Sequence, residues 1–137
     1  MLQPNKILVI RFSSLGDLIL TSPIFRELRR IFPGANLNLL TSVGFGDVLD
    51  NNPHLDRIIK HPRKENFEQL NQLIDELQAE EFDLIYDAHR SMRSRWIVSR
   101  LTAFGMKRQP AVWKINKRTL NRKLLIHLGW NRLQQGL

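Results

Sequence analysis

A chain of 137 residues is one domain's worth, and a domain of about 150 residues hides roughly 68–70% of its unfolded surface, so a proper core is within reach. Residues are 42% hydrophobic, with no apolar run of membrane-spanning length, no signal-peptide order at the N-terminus and no cysteine. That excludes disulfides and thiolate metal sites and points to a cytoplasmic protein. The net charge of +8 is unevenly placed: −4 over residues 1–87, and +12 over residues 88–137, which hold no acid at all. Such a segment implies an anionic partner: a phosphorylated glycolipid, a membrane surface, nucleic acid, or an acidic protein face.

In chain order, Ile7-Leu8-Val9-Ile10 is a short apolar run, as expected of a strand buried on both faces in a parallel sheet. Arg11 to Asp17, RFSSLGD, switches to small and polar residues, and apolar residues at helical spacing follow. Such a strand–turn–helix opens a βαβ unit whose turn lies at the ligand-binding carboxyl edge of the sheet. Here Ser13 and Ser14 offer hydroxyls and N–H groups to an anion, and Gly16 offers backbone freedom. Asp17 sits where the helix starts; it is either an N-cap, favoured by the helix dipole, or a carboxylate able to take a proton from a bound hydroxyl.

The first helix is expected over 17–32, with Leu20, Ile24, Leu28 and Ile31 as its stripe. Pro23 should kink it or mark a restart capped by Ser22, and Pro33-Gly34 stops it. Residues 36–41 read as a second strand, 46–50 as a short helix, 55–59 as a third strand and 60–64 as a basic loop. Asn66 should cap a helix whose apolar face is Phe67, Leu70, Leu73, Ile74 and Leu77. A fourth strand over 82–87 leads into the polar turn of His89 and a helix bearing Trp96, Ile97, Val98 and Leu101, with Gly105 near its exit. Residues 106–108 read as a short fifth strand, 110–116 as a loop carrying Trp113, and 117–133 as a last helix with Leu120, Leu124 and Leu128 in one row. The alternation predicts an α/β fold: a Rossmann-like, right-handed, doubly wound and mostly parallel sheet.

No metal site is expected, since His54, His61, His89 and His127 show no ligand spacing and no cysteine joins them. Neither a G-x-S-x-G elbow nor a Walker A sequence occurs, and SVGFGD is not a dinucleotide fingerprint. Asp17 and His89 close two different strand–helix turns, which in a parallel sheet open on the same edge. Arg63, Lys64, Arg93 and Arg118 are the basic residues placed to ring a shared crevice, although each alone also reads as a solvated surface charge.

The pattern ILVIRFSSLGDLILTSPIFRELRRIFP, with FDLIYDAHRSMRS further on, resembles glycosyltransferase family 9, the bacterial ADP-heptose:lipopolysaccharide heptosyltransferases. The first turn and the segment around His89 are fairly specific; the basic loops are weak alone. The resemblance implies a two-domain GT-B architecture, no metal or other cofactor, and ADP-heptose as donor substrate. It implies that Asp17 is the general base that deprotonates an acceptor sugar hydroxyl for inverting transfer. Ser13, Ser14, Gly16, Arg63, Lys64, His89, Arg93 and Arg118 would line the acceptor side. The acceptor would be an anionic glycolipid, Kdo–lipid A or a heptose-extended core, reached from the cytoplasm with peripheral contact at the inner membrane. Residues 1–137 would then be the single acceptor-binding domain, the nucleotide-sugar-binding domain lying outside this chain, and the chain alone would not turn over. The rival reading is a basic α/β binding module for nucleic acid or another anion. It is disfavoured because no nucleic-acid motif occurs and no aromatic residues interleave with the basic ones.

Overall fold

The computed structural model describes residues 2–13, 15–64, 66–103, 107 and 109–114. They form one five-stranded sheet in the order β3-β2-β1-β4-β5. The strands are β1 (Lys6–Ile10), β2 (Asn36–Ser42), β3 (Arg57–His61), β4 (Leu84–Asp87) and β5 (Ala111–Lys114), and every neighbouring pair is parallel. The register sets Ile10 beside Leu40 on one side and beside Asp87 on the other, so the carboxyl ends of β1 and β4 lie level. Helices α1 (Leu15–Leu20), α2 (Ser22–Ile31), α3 (Phe67–Ala79) and α4 (Met92–Leu101) cover the faces.

Period-2 alternation divides the strands between two cores. Ile7, Val9, Leu37, Leu39 and Leu84 pack with Leu18, Ile24, Phe25 and Leu28 of α1 and α2. Leu8, Ile10, Leu40 and Ile85 pack with Leu73, Ile74 and Leu77 of α3 and with Ile97 and Leu101 of α4. This explains why β1 is apolar throughout: its four last residues are fully buried, two on each face. Helices on both faces of a parallel sheet make the doubly wound fold expected from the sequence.

Several elements differ from expectation. The first helix is two, breaking at Thr21 with Pro23 in the first turn of α2. Thr21, not Ser22, occupies the cap position, and its hydroxyl donates back to the Asp17 carbonyl at 2.7 Å. The break resets the helical phase, so Ile24, Phe25 and Leu28 face inward while Leu20 and Ile31 are exposed. Strand β3 starts two residues later than expected because Asp56 ends the turn before it, its carboxylate accepting the Leu37 N–H at 2.7 Å. Strand β4 likewise starts later, at Leu84, since Asp83 accepts the N–H groups of Asn5 and Lys6 instead of extending the strand.

The fifth strand is Ala111–Lys114, where a loop was expected. Pro110 supplies no N–H, so the ladder opens directly after it, with the Ala111 N–H donating to the Asp83 carbonyl at 2.9 Å. Trp113 is a sheet residue packed against Phe32 and Tyr86. The strand expected at 106–108 falls almost wholly outside the described residues, as do Gly105 and the helix expected at 117–133. Asn66 does cap α3 with a reciprocal box to Gln69, although Phe67 lies outward.

Candidate functional site

From β1 the chain crosses to β2 on one side, while from β4 it crosses to β5 on the other. These paths diverge at a switch point outside the carboxyl ends of β1 and β4, the place where the crevice of an open α/β sheet binds ligands. The β1 side supplies Arg11, Phe12, Ser13 and Asp17; the β4 side supplies Asp87, Ala88, His89 and Arg90.

The two sides are stitched together. The Arg11 guanidinium is mostly buried; its Nη1 donates to the Ala88 carbonyl at 2.8 Å and its Nη2 meets Asp17 Oδ2 at 2.9 Å. The Phe12 N–H donates to His89 Nδ1 at 3.0 Å, so a neutral His89 carries its proton on Nε2. Behind them Asp87 is buried and fully engaged: Oδ1 accepts the N–H groups of His89 and Arg90, and Oδ2 accepts the Ser94 hydroxyl. That clamp holds Arg90 at a φ of 58°, a left-handed conformation uncommon for a residue with a side chain. Ser91 and Ser94 then cap α4 reciprocally, which fixes where Arg93 emerges.

Arg93 lies with its guanidinium carbon 3.7 Å from the Phe12 ring centroid, and its Nη1 donates to the Arg63 carbonyl at 3.3 Å. Arg63 in turn sits over the Phe45 ring at 4.9 Å. The fold therefore brings Asp17, His89, Arg63 and Arg93 to one edge, with Ser13 half-buried beside Phe12 and Lys64 exposed in the Arg63 loop. Ser14 and Arg118 lie outside the described residues.

Two local readings are corrected. Gly16 is helical with open space around it, so its conformational freedom is not used. Asp17 is the third residue of α1 and not its cap; its carboxylate pairs with Arg11 and its side chain is 53% exposed, open to an incoming ligand. A groove of about 530 Å³ lies at the opposite, amino edge of the sheet, lined by Leu2, Ile31, Phe32 and Trp113 among others, and contains none of these groups.

No family model matches the chain. Lipopolysaccharide heptosyltransferase 1 of Pseudomonas aeruginosa is 26% identical over 77% of this chain and 33% of its own length. The Escherichia coli K12 protein of the same name is 27% identical over 74% of this chain and 34% of its own. The chain thus spans about a third of these relatives. The fold matches a glycosyl transferase family 9 protein from Veillonella parvula with a TM-score of 0.74 at 21% identity, covering 96% of this chain and 43% of that one. It also matches E. coli heptosyltransferase WaaC, solved with ADP-2-deoxy-2-fluoro heptose, with a TM-score of 0.65 at 23% identity, covering 92% and 41%. The chain resembles glycosyltransferase family 9 in sequence and in fold.

In this heptosyltransferase-like chain, two crevice residues escaped the sequence reading. From sequence Arg11 reads as the first polar residue of a turn, and Phe12 is given no role. The signal was there in the placing of a cation directly after four buried strand residues, where only a specific partner offsets its desolvation. Among the described residues no cluster of His, Asp and Glu is arranged to hold a metal ion, and no helix is long and apolar enough to cross a membrane.

Proposed function

We propose that this chain is the acceptor-binding part of an inverting glycosyltransferase that moves heptose from ADP-heptose to the inner core of lipopolysaccharide, with Asp17 as general base. The observation that carries the reading is the exposed Asp17 carboxylate, held by Arg11 at the switch-point crevice of a fold shared with glycosyltransferases of family 9. The name of the curated relatives, lipopolysaccharide heptosyltransferase 1, supports heptose transfer to lipopolysaccharide, and the ADP-2-deoxy-2-fluoro heptose of the structural neighbour supports an ADP-linked donor.

The chemistry requires one base and no covalent intermediate. The acceptor hydroxyl gives its proton to an Asp17 carboxylate oxygen while its own oxygen attacks the anomeric carbon. The bond from that carbon to the ADP oxygen breaks, ADP leaves with the electron pair, and configuration inverts. Asp17 ends protonated and returns its proton to solvent. Arg11 fixes the carboxylate in place, so the proton acceptor is oriented before the sugar arrives. The Nε2–H of His89 supplies a donor for the acceptor's carboxylates and phosphates, with Ser13, Arg63 and Lys64 beside it and the charge of the largely enclosed Arg93 guanidinium behind. A lipid-anchored acceptor brings the domain to the cytoplasmic face of the inner membrane.

The test is titration of a delipidated Kdo-containing core saccharide into the isotopically labelled chain. Amide shifts concentrated at Phe12, Asp17, His89 and Arg93, abolished by Arg93→Glu, are the expected result. Shifts confined to the amino-edge groove, or none at millimolar saccharide, would overturn the reading.

A further inference from the structure

Asp87 is the last acid in the chain, and it is buried and consumed by the turn that follows it. Helix α4 and its approach therefore present only positive charge, with Arg90 and Arg95 exposed. The same helix exposes large apolar side chains that its core face does not need. Met92 is 88% exposed and Trp96 is 42% exposed, one turn apart at i and i+4 on one stripe. The Arg100 guanidinium lies 5.7 Å from the Trp96 ring and continues that stripe at i+8. Helix α3 packs beside α4 and starts at the same edge of the sheet with Phe67, 67% exposed. Arg93 ties the start of α4 to the loop before α3 through the Arg63 carbonyl, so Arg63 joins the same surface. The described acid of that first α3 turn is Glu68.

We propose that the outer face of α4 and the start of α3 form a docking surface for an anionic lipid bilayer, with Met92, Trp96 and Phe67 entering the headgroup region and Arg63, Arg90 and Arg95 meeting lipid phosphates. Arginines set among the exposed Met92, Trp96 and Phe67 select that occupant, because an anionic bilayer takes up positive charge and apolar area together. Arginine stems lie along apolar surface while their heads stay wet, and Trp prefers the membrane–water boundary. Buried apolar area and anionic lipid attraction add together in interfacial binding. Phe12 and Arg93 connect this surface to the crevice, which places Asp17 close to the plane where a lipid-anchored saccharide emerges. The inference rests on the proposed function for its purpose, but not for its test.

The chain is floated with vesicles of phosphatidylglycerol and phosphatidylethanolamine, and with vesicles of phosphatidylcholine alone. It partitions onto the anionic vesicles at low salt, and brominated lipid quenches its fluorescence in a way lost in Trp96→Phe. Met92→Ser with Trp96→Ser, and separately Arg90→Glu with Arg95→Glu, each lower the partition coefficient about tenfold or more, as a few lost contacts of this kind do. Arg26→Glu with Arg30→Glu, exposed on α2 across the sheet, has a smaller effect, and circular dichroism melting verifies that each variant folds. Asp17→Asn, which removes the base, leaves partitioning intact, so a failed transferase reading is distinguishable from failure here. Equal binding to neutral vesicles, undiminished binding by both paired variants, or preferential capture of duplex or single-stranded nucleic acid through the same residues would each overturn the proposal.

Discussion

Arg11 divides its guanidinium between two partners that follow different strands, the Ala88 carbonyl after β4 and the Asp17 carboxylate in the first turn of α1. A lysine keeps the charge but makes a point contact where the planar fork makes two. In a transfer-competent form of the protein, Asp17→Asn lowers kcat by about 10²–10⁴-fold, the range a positioned general base supplies. Arg11→Lys lowers kcat less than Arg11→Met and leaves the acceptor KM near its original value, because the carboxylate is retained and only its orientation suffers. Steady-state transfer kinetics measure both, and an Asp17→Asn enzyme within threefold of the parent would remove Asp17 from the mechanism. His89 has a different part: its Nδ1 holds the Phe12 N–H, so His89→Ala costs stability as well as binding.

Elements were legible in the sequence where one physical signal acted alone. The buried run of β1, the Asn66 cap of α3 and the apolar positions Leu73, Ile74 and Leu77 follow from pattern and capping chemistry, and the structure carries them. Signals failed where a distant partner decided the outcome: Asp56 and Asp83 delay the starts of β3 and β4 by binding backbone across the sheet's amino edge, and β5 exists because β4 offers it a ladder. At the site, the edge position of Asp17 and His89 was legible because each closes a strand–helix turn, whereas their nearness and the Arg11 clamp needed the pairing of β1 with β4. Asn66→Ala should cost about 1 kcal/mol in chemical denaturation, the usual loss for a side-chain cap. The amino edge also sets an acid limit. The Leu37 N–H, and then Arg29, hold the Asp56 carboxyl below its ordinary value of 3.8. Lys6 above all, with Arg57, holds Glu80 below 4.5. A group depressed in the folded state contributes stability that is fully present above its unfolded value and is lost as pH falls through the folded one. The melting temperature should therefore hold steady down to about pH 4.5 and then drop, and Asp56→Asn with Glu80→Gln should flatten that drop. Both carboxylates are partly exposed, which keeps the effect small.

At the scale of the whole chain, charge is divided along the sequence, −4 over residues 1–87 and +12 over residues 88–137. Among the described residues, Asp56 and Asp83 tie off the amino edge, while Arg63 and Arg93 lie at the carboxyl edge and Arg90 and Arg95 on α4 and its approach. An anionic saccharide entering that edge is attracted over a distance set by salt, with a screening length of about 10 Å at 0.1 M and about 3 Å at 1 M. Acceptor binding should therefore weaken several-fold between 0.1 and 1 M salt by these screening lengths, read by calorimetric titration of the delipidated core saccharide. ADP is a different matter. A glycine-rich backbone cradle is the common seat of a diphosphate, and the sequence has neither a Walker A nor a G-x-G-x-x-G turn. The relative solved with an ADP-heptose analogue is more than twice as long as the part this chain covers. Incubated with ADP-heptose and a Kdo-containing acceptor, the chain alone is expected to bind the acceptor and release no ADP. ADP release above background, dependent on acceptor and lost in Asp17→Asn, would instead show that this single sheet holds both substrates.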